Sequence, residues 1–207
     1  MTPIKNQGQC GSCWAFSTTG SLEGVHFQTK GELISFSEQQ LVDCSKSYGN
    51  HGCLGGLMNM SFWYVKDHGI TTEAKYPYHG IGINACKYKE ETDKVWTISD
   101  CTEIPENSSL NFKASVAKGP VSVAIQANQM AFQLYKSGVF SNDKCGTKLD
   151  HGVLTVGYGV EDGKDYYKVK NSWGAQWGEN GFIKIENLKK DGPGLCGLQM
   201  AASFPLA

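Results

Sequence analysis

The sequence predicts an α+β fold, helical in its first half and built of β-strands in its second. Three observations carry that prediction. Small and apolar residues recur at helical spacing directly after Cys13, and β-branched and aromatic runs begin at Pro120. The third is the 25 glycines in 207 residues, a share above the ordinary one and a sign of many turns. No Pro/Ser-rich linker intervenes, and the texture changes near residue 98. We expect a mainly helical domain over 1–98 and a β domain over 99–207, in a chain long enough to bury a substantial core.

The elements follow in chain order. Ala15, Thr18, Thr19, Leu22, Val25 and His26 share helical spacing, and Lys30-Gly31 ends the helix with a basic last turn and a glycine stop. Ser37-Glu38-Gln39-Gln40 ahead of Leu41 and Val42 reads as the capped start of a second helix, and residues 58–67 as a third. Beyond Pro120, residues 121–125, 152–158 and 166–170 read as strands. Glu161-Asp162-Gly163-Lys164 is the hairpin turn between the last two.

Nineteen Lys and Arg against twenty Asp and Glu leave a net charge of −1, which gives no electrostatic footprint for nucleic acid or an anionic membrane. The longest apolar runs reach only four or five residues, against the roughly 20 that a spanning helix needs, so we expect a soluble protein. Eight cysteines, at 10, 13, 44, 53, 86, 101, 145 and 196, are scattered in a way that favours disulfides and an oxidising compartment. The sequons Asn59-Met60-Ser61 and Asn107-Ser108-Ser109 fit a secretory route. Met1 to Asn6 lacks the apolar core of a signal peptide, so the chain reads as a processed form.

The segment from Gln7 to Phe16, Gln-Gly-Gln-Cys-Gly-Ser-Cys-Trp-Ala-Phe, places Cys13 where the long helix begins. Helix N-terminal amides and the dipole favour a thiolate there. A thiolate nucleophile also needs a base, and the base needs a group that orients it. Leu149-Asp150-His151-Gly152 and Lys170-Asn171-Ser172-Trp173-Gly174 supply an imidazole and a carboxamide beside predicted strands. Taken alone, Cys13 reads as a disulfide cysteine, His151 as a surface histidine, Asn171 as a turn residue and Trp173 as a core aromatic. Their joint occurrence in order with Gln7 reverses that reading for Cys13. Two other chemistries compete for the same cysteines. Cys10-x-x-Cys13 is formally a thiol–disulfide redox motif, though no buried strand precedes it, and Cys10, Cys13, Cys44 and Cys53 could in principle hold zinc.

Cys10-Gly11-Ser12-Cys13-Trp14 matches the C-G-[SA]-C-[WY] signature of the papain-like cysteine peptidases at every position. His151 and Asn171 follow Cys13 by about 140 and 160 residues, near the family's 130–150. Asn171-Ser172-Trp173-Gly174 with Trp177-Gly178, and Gly52-Cys53-Leu54-Gly55-Gly56, also resemble family motifs. The likeness runs from about Gln7 to Pro205 and is strongest to the cathepsin L-type branch.

The resemblance implies a papain-like fold, a helical domain and an antiparallel β-barrel-like domain with the active-site cleft between them. By position it implies Cys13 as nucleophile, His151 as its proton-exchange partner, Asn171 as the residue orienting His151, and Gln7 as the oxyanion-hole side chain beside the Cys13 N–H. It likewise implies Trp173 as the indole shielding the Asn–His bond, and Gly55 and Gly56 as the backbone that pairs with extended substrate. The pocket for the substrate's second residue would be lined by Leu57, Met58, Ala124, Leu149, Gly152 and Ala201, all apolar or Gly, which favours leucine or phenylalanine over arginine. The implied disulfides are Cys10–Cys53, Cys44–Cys86 and Cys145–Cys196. Cys101 is then left over, and we expect it to be buried and inert. Exopeptidase relatives carry a loop with adjacent histidines, and no His-His pair occurs here, so endopeptidase is the expectation. The resemblance also implies polypeptide substrates, a propeptide and cystatin-like inhibitors as partners, no metal or cofactor, a monomer, and a lysosomal, vacuolar or secreted location. A non-catalytic homologue is the third functional class, and the intact Cys13 removes its main support.

Overall fold

The computed structural model describes residues 1–207. The chain folds into two compact units, one of Met1–Pro3, Gln7–Thr102 and Phe204–Ala207, the other of Ile4–Asn6 and Glu103–Ser203.

The first unit is built on α1 (Cys13–Lys30), α2 (Glu38–Cys44) and α3 (Met58–His68), followed by a single turn, α4 (Glu90–Asp93). The helix α1 ends at Gly31 in the left-handed conformation, which glycine adopts without strain. Trp14, Ala15, Phe16, Thr18, Thr19, Leu22 and Glu23 are all buried, so α1 is enclosed on most of its faces rather than on one stripe. Its hydroxyls turn inward to partners: Thr18 Oγ1 donates to Trp14 O at 2.8 Å and Thr19 Oγ1 to Glu38 Oε1 at 2.6 Å. Ser37 caps α2 by accepting from Gln40 N at 3.0 Å. Leu22, Phe36, Leu41, Val42, Phe62, Val65 and Ile70 are fully buried and form the core.

The second unit carries α5 (Ser109–Lys118), the single turn α6 (Met130–Gln133) and most of a seven-stranded sheet. The strands are β1 (Asp100–Glu103), β2 (Val121–Ile125), β3 (Val139–Phe140), β4 (His151–Glu161), β5 (Lys164–Lys170), β6 (Phe182–Glu186) and β7 (Ala202–Leu206), in the order β1-β7-β2-β4-β5-β6-β3. The β4–β5 hairpin turns through Asp162 (φ 49°) and Gly163 (φ 76°), positive at both central positions as a primed turn requires. Phe112 of α5 packs edge-on to Tyr167 of β5 at 4.9 Å.

Two features differ from the barrel-like antiparallel sheet expected. The sheet is open, with β1 and β3 as its edges, and β3 pairs with β6 in parallel. Closure depends on edge strands, and here these are four and two residues long. The second half also contains the ten-residue α5, which the β texture did not announce. No helix is long and apolar enough to cross a membrane.

Candidate active site

In the first unit, a tight loop feeds the start of α1, and Cys13 is the first helical residue. No acidic residue in the first turn opposes a thiolate there. The loop is fixed by the Cys10–Cys53 disulfide, by Gly11 N donating to Cys53 O at 3.0 Å, and by Trp14 Nε1 donating to Gly52 O at 3.3 Å. Only glycine fits at position 11, since a Cβ would stand 2.5 Å from Cys53 O. Gln7 is buried, and its Nε2 directs one N–H to Cys10 O at 3.0 Å.

The bonds Cys44–Cys86 and Cys145–Cys196 complete the disulfides, the pairing that the resemblance implies. Cys10 is therefore committed to Cys53 and not to Cys13, which removes the redox pair. With Cys10, Cys44 and Cys53 all oxidised, the zinc reading fails too. Cys13 and Cys101 lie outside the disulfides, and Cys101 is half-buried on β1 rather than buried as expected, because strand ends at a sheet edge are covered on one side only.

The Gly55-Gly56 segment is braced from behind. His51 N donates to Gly55 O at 2.8 Å, and Gly55 has φ +126°. A Cβ on Gly56 would stand 2.6 Å from Asn50 Oδ1 and 2.7 Å from the Trp14 ring. Asn50 is buried, accepts from Leu57 N at 2.9 Å and donates to Ser45 Oγ and Ser61 Oγ. The sequence did not mark Asn50, because an Asn among glycines reads as a turn residue. Leu57 is exposed, while Met58 at the start of α3 is buried.

In the second unit, His151 opens β4 opposite Ile125, and Asp150 Oδ1 holds the neighbouring loop by accepting from Ala127 N at 2.7 Å. His151 Nε2 lies 2.7 Å from Asn171 Oδ1. That oxygen also accepts from Ser172 N at 2.8 Å. A backbone N–H can only donate, so the atom facing His151 is the carboxamide oxygen, and Nε2 carries the proton. Nδ1 is thereby the ring nitrogen left for chemistry. Trp173 stacks on the imidazole at 4.7 Å and 30° and is itself packed edge-on by Phe132 and Trp177. Burial lowers the His151 pKa from its ordinary 6.5, opposed by the Asn171 hydrogen bond and by the Asp150 charge. Ala124 pairs with Gly152 across β2 and β4 and donates to Ala201 O at 3.0 Å, which brings these three predicted pocket residues together. The Leu149 side chain lies over Gly197, where a Cβ would come within 2.6 Å of Leu149 Cδ2.

A helix-borne cysteine in one unit and an oriented, stacked imidazole in the other coincide with a whole-chain family match: the model described as papain family cysteine protease covers residues 1–206. The chain belongs to the papain family. It is similar to "Probable cysteine protease RD21B" of Arabidopsis thaliana, 52% identical over 207 residues, 100% of this chain and 44% of that protein. It is also similar to "Cathepsin L" of Sarcophaga peregrina, 51% identical over 209 residues, 99% of this chain and 60% of that protein. Two solved structures are similar across 100% of the chain. Digestive procathepsin L 3 of Tenebrio molitor larval midgut gives a TM-score of 0.91 at 42% identity, with 67% of that chain covered. The Amb a 11 cysteine protease, a major ragweed pollen allergen, in its proform gives 0.93 at 43% identity, with 62% covered. This papain-family chain thus spans about half the length of the curated relatives it matches.

Proposed function

We propose that this chain is the catalytic portion of a cysteine endopeptidase acting through a thioester acyl-enzyme, its two units serving as a helical and a β domain. The observation that supports this most is the His151–Asn171 pair, with the Nε2 proton tied down and an indole over the ring. In this reading Cys13, as a thiolate, attacks the peptide carbonyl. His151 gives its Nδ1 proton to the leaving amine, and the depression of its pKa by burial makes it a stronger acid for that step. Water then attacks the thioester with the same imidazole as base. The Gln7 side-chain amide and the Cys13 backbone N–H receive the developing oxyanion, donors worth roughly 3–4 kcal/mol each when preset. Gly55 and Gly56 pair with extended substrate.

The test is pH-dependent alkylation with peptide mapping. Cys13 should react rapidly below pH 6, where an ordinary thiol of pKa about 8.5 is almost wholly protonated, and Cys101 should be slow. A fast label on another cysteine, or none at that pH, overturns the nucleophile assignment.

For specificity, Leu57, Met58, Ala124, Leu149, Gly152 and Ala201 contact the substrate's second side chain. Burying leucine or phenylalanine there gains roughly 1.5–3 kcal/mol, while arginine meets no carboxylate. Paired fluorogenic peptides differing only in Leu or Arg at that position should differ strongly in kcat/KM, and Ala201→Glu should restore cleavage of the Arg peptide. Equal turnover by the unmodified chain would sink the assignment. As partners the reading takes polypeptide substrates, the chain's own propeptide and cystatin-like inhibitors, with a monomer working in a lysosome, a vacuole or outside the cell.

A further inference from the structure

Tyr78 occupies a place that the mechanism above does not use. It sits half-buried in the first unit, with its ring edge-on to Phe16 of α1 at 4.8 Å. Its hydroxyl lies 2.6 Å from Gln7 O and 2.7 Å from Ser12 Oγ. The direction of both bonds is decided by the carbonyl: Gln7 O can only accept, so the phenol proton goes there, and Ser12 must donate its own proton to the phenol oxygen.

This has a visible effect on the helix start. Ser12 is the N-cap residue of α1, a position where a serine side chain ordinarily accepts from a first-turn amide, yet it makes no such bond here. Its hydroxyl lies 2.7 Å from the Tyr78 oxygen and 3.5 Å from Cys10 O, so its short bond goes to Tyr78 instead. The Tyr78 segment is itself held firmly: Tyr78 N donates to Glu73 Oε1 at 2.8 Å, His79 N and Gly80 N donate to Gln39 Oε1, and Ser37 Oγ donates to Tyr76 O at 2.6 Å. One hydroxyl on a fixed support therefore joins two residues. One is Gln7, and the other immediately precedes Cys13.

We propose that the Tyr78 hydroxyl is a positioning group that sets the spacing between the two oxyanion donors, the Gln7 side chain and the Cys13 backbone N–H. The proposal rests on the endopeptidase reading and adds to it a residue 65 positions from the nucleophile in sequence. The two bonds of the Tyr78 hydroxyl go to Gln7 O and Ser12 Oγ rather than to the reacting atoms. It acts by holding the Gln7 segment and the Ser12–Cys13 helix start at one separation, and donors misplaced by a fraction of an ångström lose much of their effect on a developing charge.

The experiment compares peptide turnover with alkylation, because iodoacetamide consumes the thiolate without forming an oxyanion. Tyr78→Phe keeps the ring against Phe16 and removes only the hydroxyl. Its kcat should fall about 10-fold with KM changed little, part of the 100- to 1000-fold that a whole donor is worth. Alkylation of Cys13 at pH 5.5 should stay within about 2-fold of the parent. In a Gln7→Ala background, Tyr78→Phe should cost less than about 3-fold, since the donor it aligns is gone. Ser12→Ala, which removes the second arm, should lower kcat in the same sense and serves if Tyr78→Phe folds poorly. The proposal is overturned if turnover is unchanged, if turnover and alkylation fall together, or if the Tyr78→Phe loss is undiminished without Gln7. Absence of fast labelling at Cys13 in the unmodified chain would overturn the endopeptidase reading itself, and this proposal with it.

Discussion

The carboxamide oxygen of Asn171 serves two donors, Ser172 N and His151 Nε2, and each has a separate consequence. The Ser172 bond fixes the rotation of the amide. The His151 bond favours the charged ring and so raises a pKa that burial lowers. Asn171→Ala should therefore drop the His151 pKa further. The alkaline limb of kcat/KM against pH reports loss of the imidazolium proton, so it should move to lower pH, with activity down about 10-fold or more. A pH–rate profile checks this, and a limb that stays in place or moves upward would contradict it. At this scale His151 and Asn171 were legible from the order of motifs, but their contact was not, since twenty residues and a hairpin separate them. Tyr78 and Asn50 were not legible at all. Their roles arise from hydrogen bonds to residues between 5 and 71 positions away, and no local pattern announces such a partner.

Among the elements, the Gly55-Gly56 bend is the most exacting, because it passes directly over the Trp14 ring and the Asn50 side chain. Gly56→Ala should overpack this contact and destabilise the fold by about 1–3 kcal/mol. Calorimetry should show Tm lowered by roughly 2–4 °C for each kcal/mol, and an unchanged Tm would mean that the bend can shift at no cost. The helices α1 and α3 and the strands β2, β4 and β5 were readable because each expresses its own period, and the seven-residue α2 because its capped start is written in the sequence. The helix α5 was not, since only Phe112 and Val116 of its ten residues are buried, while the apolar Leu110 faces outward and blurs the stripe. The two-residue β3 has no period to read, and its parallel pairing with β6 comes from a distant part of the chain. The capping of α2 by Ser37 and the glycine stop of α1 were visible because both are local backbone chemistry.

Over the whole molecule, the chain leaves and re-enters each unit, so neither is one continuous stretch of sequence. The last four residues belong to the first unit, where Ser99 N donates to Leu206 O and Ser99 Oγ to Ala207 O, both at 2.9 Å. Deleting Phe204–Ala207 removes these bonds, each worth about 1 kcal/mol net, and should lower Tm by roughly 4–8 °C. Thermal denaturation followed by circular dichroism measures the difference, and a truncated chain as stable as the parent would show that the tail contributes nothing.

That interleaving also dictates a timetable for synthesis. A ribosome delivers residues 7–102, and with them all four cysteines of Cys10–Cys53 and Cys44–Cys86, before residues 103–203, and only after those the segment Phe204–Ala207 that completes this unit. The earlier stretch can oxidise and collapse while the chain grows, but it cannot be finished until Phe204–Ala207 has been made. Cys145–Cys196 closes within the later stretch, so a cross-linked but incomplete first unit accompanies the synthesis of residues 103–203.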